Sequence, residues 1–232
     1  MKRTIITSAT LLVSSVFSFG ATIAGTSQDI QFSNINFETQ VIELHNFGSD
    51  EISLDGWRFC SHDETDGFDY TSAAGLNGQS IAAGESLFVH WGDDATASNA
   101  INISSLGGRW IDDLNADSAG AGISINLYNN NLGGFGSSAA IVDHIQYSFE
   151  GANVASPANV RGSVATGASI WGSTTDWIAV DADSTGLTLT GSAFTGLDDL
   201  QGSASYTVQT IPEPSGVLMS SLGALLLLRR KR

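Results

Sequence analysis

Gln40–Phe59 reads Gln-Val-Ile-Glu-Leu-His-Asn-Phe-Gly-Ser-Asp-Glu-Ile-Ser-Leu-Asp-Gly-Trp-Arg-Phe, and its alternation decides the fold class. Ile42 and Leu44 fall on one side of an extended chain, Glu43 and His45 on the other, the two-residue period of a strand with one covered face. Asn46-Phe47-Gly48-Ser49-Asp50 is a turn. Ile52 and Leu54 resume the alternation, Asp55-Gly56 is a hairpin-type turn, and Trp57 and Phe59 continue the apolar face. Three short strands joined by short turns predict an antiparallel sheet with one face buried.

The same pattern extends outward. Upstream, Asp29–Phe37 alternates until the phase slips near Ser33-Asn34, which predicts a strand with a bulge. Downstream, Leu87–Trp91, Gly122–Tyr128 (Ile123, Ile125, Leu127) and Ile141–Tyr147 are further strands. Two long acidic loops are expected between them, Ser61–Ser80 and Gly92–Gly120. Gly151–Ile170 reads as irregular and Ile170–Val180 as a closing strand with Trp171 and Trp177. Residues 181–210 are rich in Gly, Ser, Thr and Asp and read as a spacer with an edge strand around Tyr206–Val208. Short strands and Gly-rich turns of this kind predict an all-β sandwich.

Ile42-Glu43-Leu44-His45-Asn46 followed by Leu54-Asp55-Gly56-Trp57 resembles the lamin-tail domain, whose pattern is an Ile-Glu-Leu-x-Asn strand, a short turn and Leu-x-Gly-Trp. Ala83-Gly84-Glu85 before Leu87–Trp91, the alternation of Gly122–Tyr128, and Ile141-Val142-Asp143-His144-Ile145-Gln146-Tyr147 agree in order. The resemblance implies an immunoglobulin-like antiparallel β-sandwich over residues 29–180, with Ile42, Leu44, Leu54, Gly56 and Trp57 defining the fold. It carries no catalytic residues.

The two ends of the chain read as addresses. Residues 1–24 have a secretory signal pattern: Lys2-Arg3, an apolar Ile5–Phe19, and small residues at Ser18-Phe19-Gly20, with cleavage after Ala24 as the alternative. Residues 211–232 contain Pro212-Glu213-Pro214, an apolar run from Val217 to Leu228, and Arg229-Arg230-Lys231-Arg232. The prolines stop any helix entering from upstream. The run is a short apolar helix, covering part of a ~30 Å hydrocarbon core, and the cations sit where a cytoplasmic leaflet would hold them. The order resembles the PEP-CTERM sorting signal of exported bacterial proteins. That resemblance implies processing at Pro212-Glu213-Pro214 by an exosortase-like membrane enzyme, transient membrane anchoring, and delivery to the cell surface or a polysaccharide-containing biofilm matrix.

Charge narrows the partners. The 232 residues carry a net −15, with 24 acids and 9 Lys and Arg. Six of the cations lie in the two terminal segments, so the exported body holds 23 acids against Arg58, Arg109 and Arg161. Nucleic acid and anionic lipid are repelled by such a body. Cys60 is alone, which excludes an intrachain disulfide and reads as a buried small hydrophobe.

No nucleophile or zinc motif is present. Cys60 and His62 share a strand face and make half a metal site with no second pair. Hard cations want several carboxylates on a folded loop, and two stretches offer them. One is Asp63-Glu64-Thr65-Asp66-Gly67-Phe68-Asp69. The other is Asp181-Ala182-Asp183-Ser184-Thr185-Gly186, whose twelfth position is Ser192 where a Glu is expected. Ca²⁺ ligands would be Asp63, Asp66, Asp69, Asp181 and Asp183; the alternative for both stretches is a solvated loop. Trp91, Trp110, Trp171 and Trp177 are candidates for a sugar platform, or for packing. The expectation is a non-enzymatic structural or adhesive surface protein, with a secreted metal-dependent hydrolase or glycan-binding module on the acidic loops as the alternative.

Overall fold

The structure, a computed structural model, describes residues 29–63, 67–92, 100–114, 122–149, 161–190 and 200–211. The signal-like segment 1–24, Asp66, the tripeptide Pro212-Glu213-Pro214 and the apolar tail lie outside the described residues. The regular structure described is mostly strand, in two large sheets and one small one.

The first sheet has six strands. Its centre is β1 (Ile30–Asn36) and β2 (Val41–Asn46), flanked by β7 (Ser86–His90) and β12 (Ser184–Leu189), with β8 (Ala100–Asn102) and β13 (Tyr206–Thr210) at the edges. The register of β1 on β2 shifts between Phe32 and Asn34, at the expected bulge. The extra residue returns Ile35 to the covered side that Phe32 occupies. In β2 Ile42, Leu44 and Asn46 are fully buried while Val41, Glu43 and His45 are half-buried.

The second sheet has five strands in the order β11 (Ile178–Val180), β10 (Ile141–Phe149), β9 (Gly122–Asn129), β4 (Trp57–Asp63) and β5 (Gly67–Tyr70). The two sheets share one core. Phe32 and Ile35 on the first meet Phe59 and Tyr147 on the second, with the Phe32 and Phe59 rings 6.5 Å apart and those of Phe37 and Tyr147 5.3 Å apart. A polar tie crosses this core. The backbone N–H of Phe32 donates to Asp143 Oδ2 at 2.6 Å.

Three expectations are corrected. First, the strands of Gln40–Phe59 do not form one sheet. β2 joins the six-stranded sheet and β4 the five-stranded one. Between them β3 (Ile52–Ser53) pairs only with β6 (Ser80–Ile81) and carries the chain across. Alternation reports which side chains are covered, not which strand covers them. The crossing is held by Asn46, fully buried, whose Nδ2 donates to the Asp50 and Ile81 carbonyls at 2.8 Å each while its Oδ1 accepts from Gly48 N. Leu54 fills the seam, and Gly56 takes φ +80°, where a side chain is strained.

Second, the described parts of residues 181–210 are not a spacer. β12 pairs with β1 on one side and with β13 on the other, and Leu187 and Leu189 are buried. The small residues that mimic a linker belong to the pairing, since a Cβ at Gly186 would collide with the Ile35 carbonyl. The edge strand at Tyr206–Val208 is present as β13. Third, the sheets are not wholly antiparallel, because β8 lies parallel to β7 and β11 parallel to β10. The expected loop Ser61–Ser80 contains the β4–β5 hairpin, the Gly92–Gly120 stretch contains β8 and a 3₁₀ turn at Ile103–Leu106, and Gly151–Ile170 contains a short helix, α1 (Gly162–Gly167).

Candidate functional site

β5 is one edge of the five-stranded sheet, β11 the other, and a groove of about 480 Å³ lies beside β5. It is lined by Arg58 from β4, by Phe68, Asp69 and Tyr70 from β5, by Thr71, and by Arg109 from the segment after the 3₁₀ turn. That segment is pinned to the end of β5. Arg109 N donates to the Tyr70 carbonyl at 3.0 Å and Ser72 N to the Gly107 carbonyl at 2.9 Å. Gly108 at φ +88° permits this approach, since a Cβ there would run into the Tyr70–Ser72 backbone. A second hollow of about 280 Å³, lined by Trp110 and Asp112, adjoins the first across Asp69 and Arg109.

Of the three arginines that the sequence scatters over more than a hundred residues, Arg58 and Arg109 line the groove and Arg161 stacks on one of its lining residues, Phe68. Arg58 sits over Phe135, its guanidinium carbon 3.8 Å from the ring centre, and 5.7 Å from the Tyr70 ring. Its Nε donates to Asn130 Oδ1 at 2.9 Å. Arg161 stacks on Phe68 at 4.4 Å. Arg109 Nε lies 3.2 Å from Asp69 Oδ1, with the arginine side chain 77% exposed and the aspartate 5%. Tyr70 is 49% exposed and rests tilted against Phe135, the ring centres 5.1 Å apart. Guanidinium planes on aromatic faces hold their position without a carboxylate. Among the described residues neither Arg58 nor Arg161 forms an ion pair with a carboxylate.

Behind the groove, the outer face of the sheet is polar but covered. The register aligns Cys60, Asn126 and His144 in one row and His62, Ser124 and Gln146 in the next. All six are buried. The cover is α1, Trp171 and the 172–176 turn. Gln146 Nε2 donates to the Thr174 and Asp176 carbonyls, which aims its oxygen at His144 Nε2, 3.0 Å away. His144 Nδ1 lies 2.6 Å from the Asn126 carboxamide, and Trp171 stands edge-on to the imidazole at 5.1 Å. Burial pushes His144 down to about 4. On the opposite face burial pushes Asp143 up to about 7, against the backbone N–H groups of Phe32 and His144.

Of the residues expected as metal ligands, Asp63, Asp69, Asp181 and Asp183 are described and Asp66 lies outside the described residues. Cys60 and His62 do share a face of β4, but burial raises the Cys60 thiol to about 11 and lowers His62. Burial outweighs the neighbouring Arg161 in holding the thiol protonated. Asp63 and Asp69 lie on one face of the β4–β5 hairpin, Asp69 being opposite Ser61 and paired with Arg109. Asp181 closes a turn, its Oδ1 accepting from Asp183 N and Ser184 Oγ at 3.1 and 2.8 Å. Among the described residues no three His, Cys, Asp or Glu side chains come together. Trp91 and Trp171 are fully buried and cannot be platforms; Trp91 Nε1 donates to the Ile111 carbonyl at 2.7 Å. Among the described residues the exposed aromatic is Tyr70, which sequence reading did not single out. Three arginines left in a body of 23 acids were the available signal for this place.

The chain matches no family model, and no curated protein sequence is similar to it.

Proposed function

We propose that this chain is an exported binding protein of the cell surface or extracellular matrix, and that it takes hold of polysaccharide through the β5 groove. The observation that carries the reading is the groove itself: an exposed Tyr70 beside Arg58, with the Arg109–Asp69 pair at the far wall. A sugar ring offers an apolar face and a rim of hydroxyls. An aromatic surface accepts the first, and guanidinium and carboxylate groups accept the second. The two-sheet architecture with its crossing at β3 is compatible with an immunoglobulin-like, lamin-tail-like sandwich as the scaffold. The signal-like N-terminus and the Pro-Glu-Pro tail supply the address, with an exosortase-like enzyme acting at Pro212-Glu213-Pro214.

The test has two parts. The purified protein is sedimented with insoluble exopolysaccharide, and the bound share is compared with that of Tyr70→Ala and Arg109→Gln. Substantial loss in both variants is expected; equal sedimentation of all three would remove the groove from the function. Intact-mass measurement of the secreted protein then tests the address, which requires an end near Pro212.

A further inference from the structure

Resting on the polysaccharide reading, we infer that the β5 groove selects an acidic saccharide, a stretch of uronate-type residues whose carboxylate docks on Arg58. Arg58 is the residue that makes the choice. In a body with 23 acids against three arginines, an arginine has many carboxylates to pair with. Arg58 pairs with none among the described residues. It lies on Phe135 and spends its Nε on the neutral Asn130 Oδ1, so among the described residues both terminal nitrogens keep their N–H groups for the groove that the residue lines.

A guanidinium held over an aromatic ring with two terminal donors unspent fits a carboxylate in the forked geometry that a neutral hydroxyl cannot reproduce. Tyr70, half-exposed and 5.7 Å from that guanidinium, puts an aromatic face beside the anion position. A uronate residue presents a carboxylate and a ring face together. On the far wall Arg109 is tied to Asp69, and that neutralised pair suits hydroxyls rather than a second anion.

The body's overall charge sets the length of ligand. Long polyanions are repelled by the surrounding acids, so the groove reads a short stretch at one point. Nucleic acid carries a charge at every ~1.7 Å of helix and meets that repulsion in full. A polysaccharide with one carboxylate per sugar meets it less.

The test is titration calorimetry of the full chain with trigalacturonate, its methyl ester, a neutral glucose trisaccharide and a short single-stranded oligonucleotide. The free acid is expected to bind roughly ten- to a hundredfold more tightly than the ester or the neutral sugar, the weight of one charge-assisted hydrogen-bonded pair. Arg58→Gln should bring the acid down to the ester, while Tyr70→Ser weakens acid and ester alike. The ester comparison needs no variant and stands even if Arg58→Gln fails to fold. Equal affinity for acid, ester and neutral trisaccharide would overturn the acidic preference and leave the polysaccharide reading standing. Binding of none of the three sugars would overturn both. An oligonucleotide that binds as tightly as the acid would show a general anion site and overturn the saccharide assignment.

Discussion

The two sheets of this protein use the same strand alternation for different ends. In the six-stranded sheet, β2 buries Ile42 and Leu44 and leaves Glu43 and His45 half in solvent. In the five-stranded sheet, β9 runs Gly-Ile-Ser-Ile-Asn-Leu-Tyr-Asn and buries its first seven residues, polar and apolar alike. One sheet has a core face and a wet face; the other has a core face and a second face closed by α1, Trp171 and the turn beyond it. The difference teaches that a polar residue on a strand marks the outer face but does not say whether that face meets water. Where it does not, every polar group must find a partner. The five-stranded sheet meets this demand at Asn126, His144 and Gln146 with a hydrogen-bond network, while His62 Nδ1 and Ser148 Oγ find no hydrogen-bond partner among the described residues; its edge carries the groove.

The largest effect expected concerns what the sheets share. Ile125 is fully buried on the inner face of β9. Ile125→Ala should cost about 2–5 kcal/mol, for lost transfer energy and the cavity left behind. Leu44→Ala on the other sheet should fall in the same range. A loss under about 1 kcal/mol at either, read by denaturant unfolding, would mean the two inner faces do not form one core.

The outer faces should separate next. Gln146→Leu removes the donor to the Thr174 and Asp176 carbonyls and the acceptor for His144. Stranding buried polar groups costs about 1–3 kcal/mol. Amide exchange would show where the loss falls, with protection lost first in α1 and the 170–176 segment. If exchange there is unchanged, the network is not what holds the cover.

Much of the fold was legible in the sequence, and its limits are physical. The bulge at Ser33-Asn34 could be read because a phase slip is a local pattern. The β2, β3 and β4 strands could be placed but not partnered, because pairing is set by distant β7, β6 and β9. Ser184–Leu189 hid as a linker because its neighbours press so close that Gly186 has no room for a side chain. The groove was harder still. Tyr70, Arg58, Phe135 and Arg109 come from four separate stretches, none of which has a motif. The acidic loops drew attention instead because carboxylates cluster visibly, whereas the three arginines gain meaning only when the fold assembles them.

Acidity distinguishes the two faces of β10. Asp143, raised to about 7, favours the folded state while protonated. Its contribution is full below the ordinary carboxylate value and is lost as pH rises through about 7. His144, lowered to about 4, acts in the other direction. Its neutral form is favoured by folding, so its contribution is full above the ordinary imidazole value and is lost as pH falls through about 4. Between pH 4 and 6.5 the two slopes oppose, and stability should vary little from this pair. His144→Gln removes one of them. In that variant stability should fall with rising pH across the same window, by at most about 1.4 kcal/mol per unit. A pH series of unfolding curves for the two proteins measures the difference directly, and parallel curves would mean that His144 does not titrate in this window.

The smallest effect belongs to the wet face. Glu43 is half-buried on β2, and its Oε1 accepts from the Ser86 hydroxyl at 2.6 Å. On the five-stranded sheet a polar residue in such a contact would be sealed under the cover. Here water replaces whatever is lost, so Glu43→Ala should change stability by no more than about 0.5 kcal/mol. The comparison with Gln146→Leu gives the number its use. Both changes delete an outward polar side chain from a central strand, and neither opens the core. If both cost the same, the cover over the five-stranded sheet contributes nothing to holding its polar face. If Gln146→Leu costs several times more, the outer face is a second interior, and the arginines stacked at its edge are held by packing as firm as that of the core.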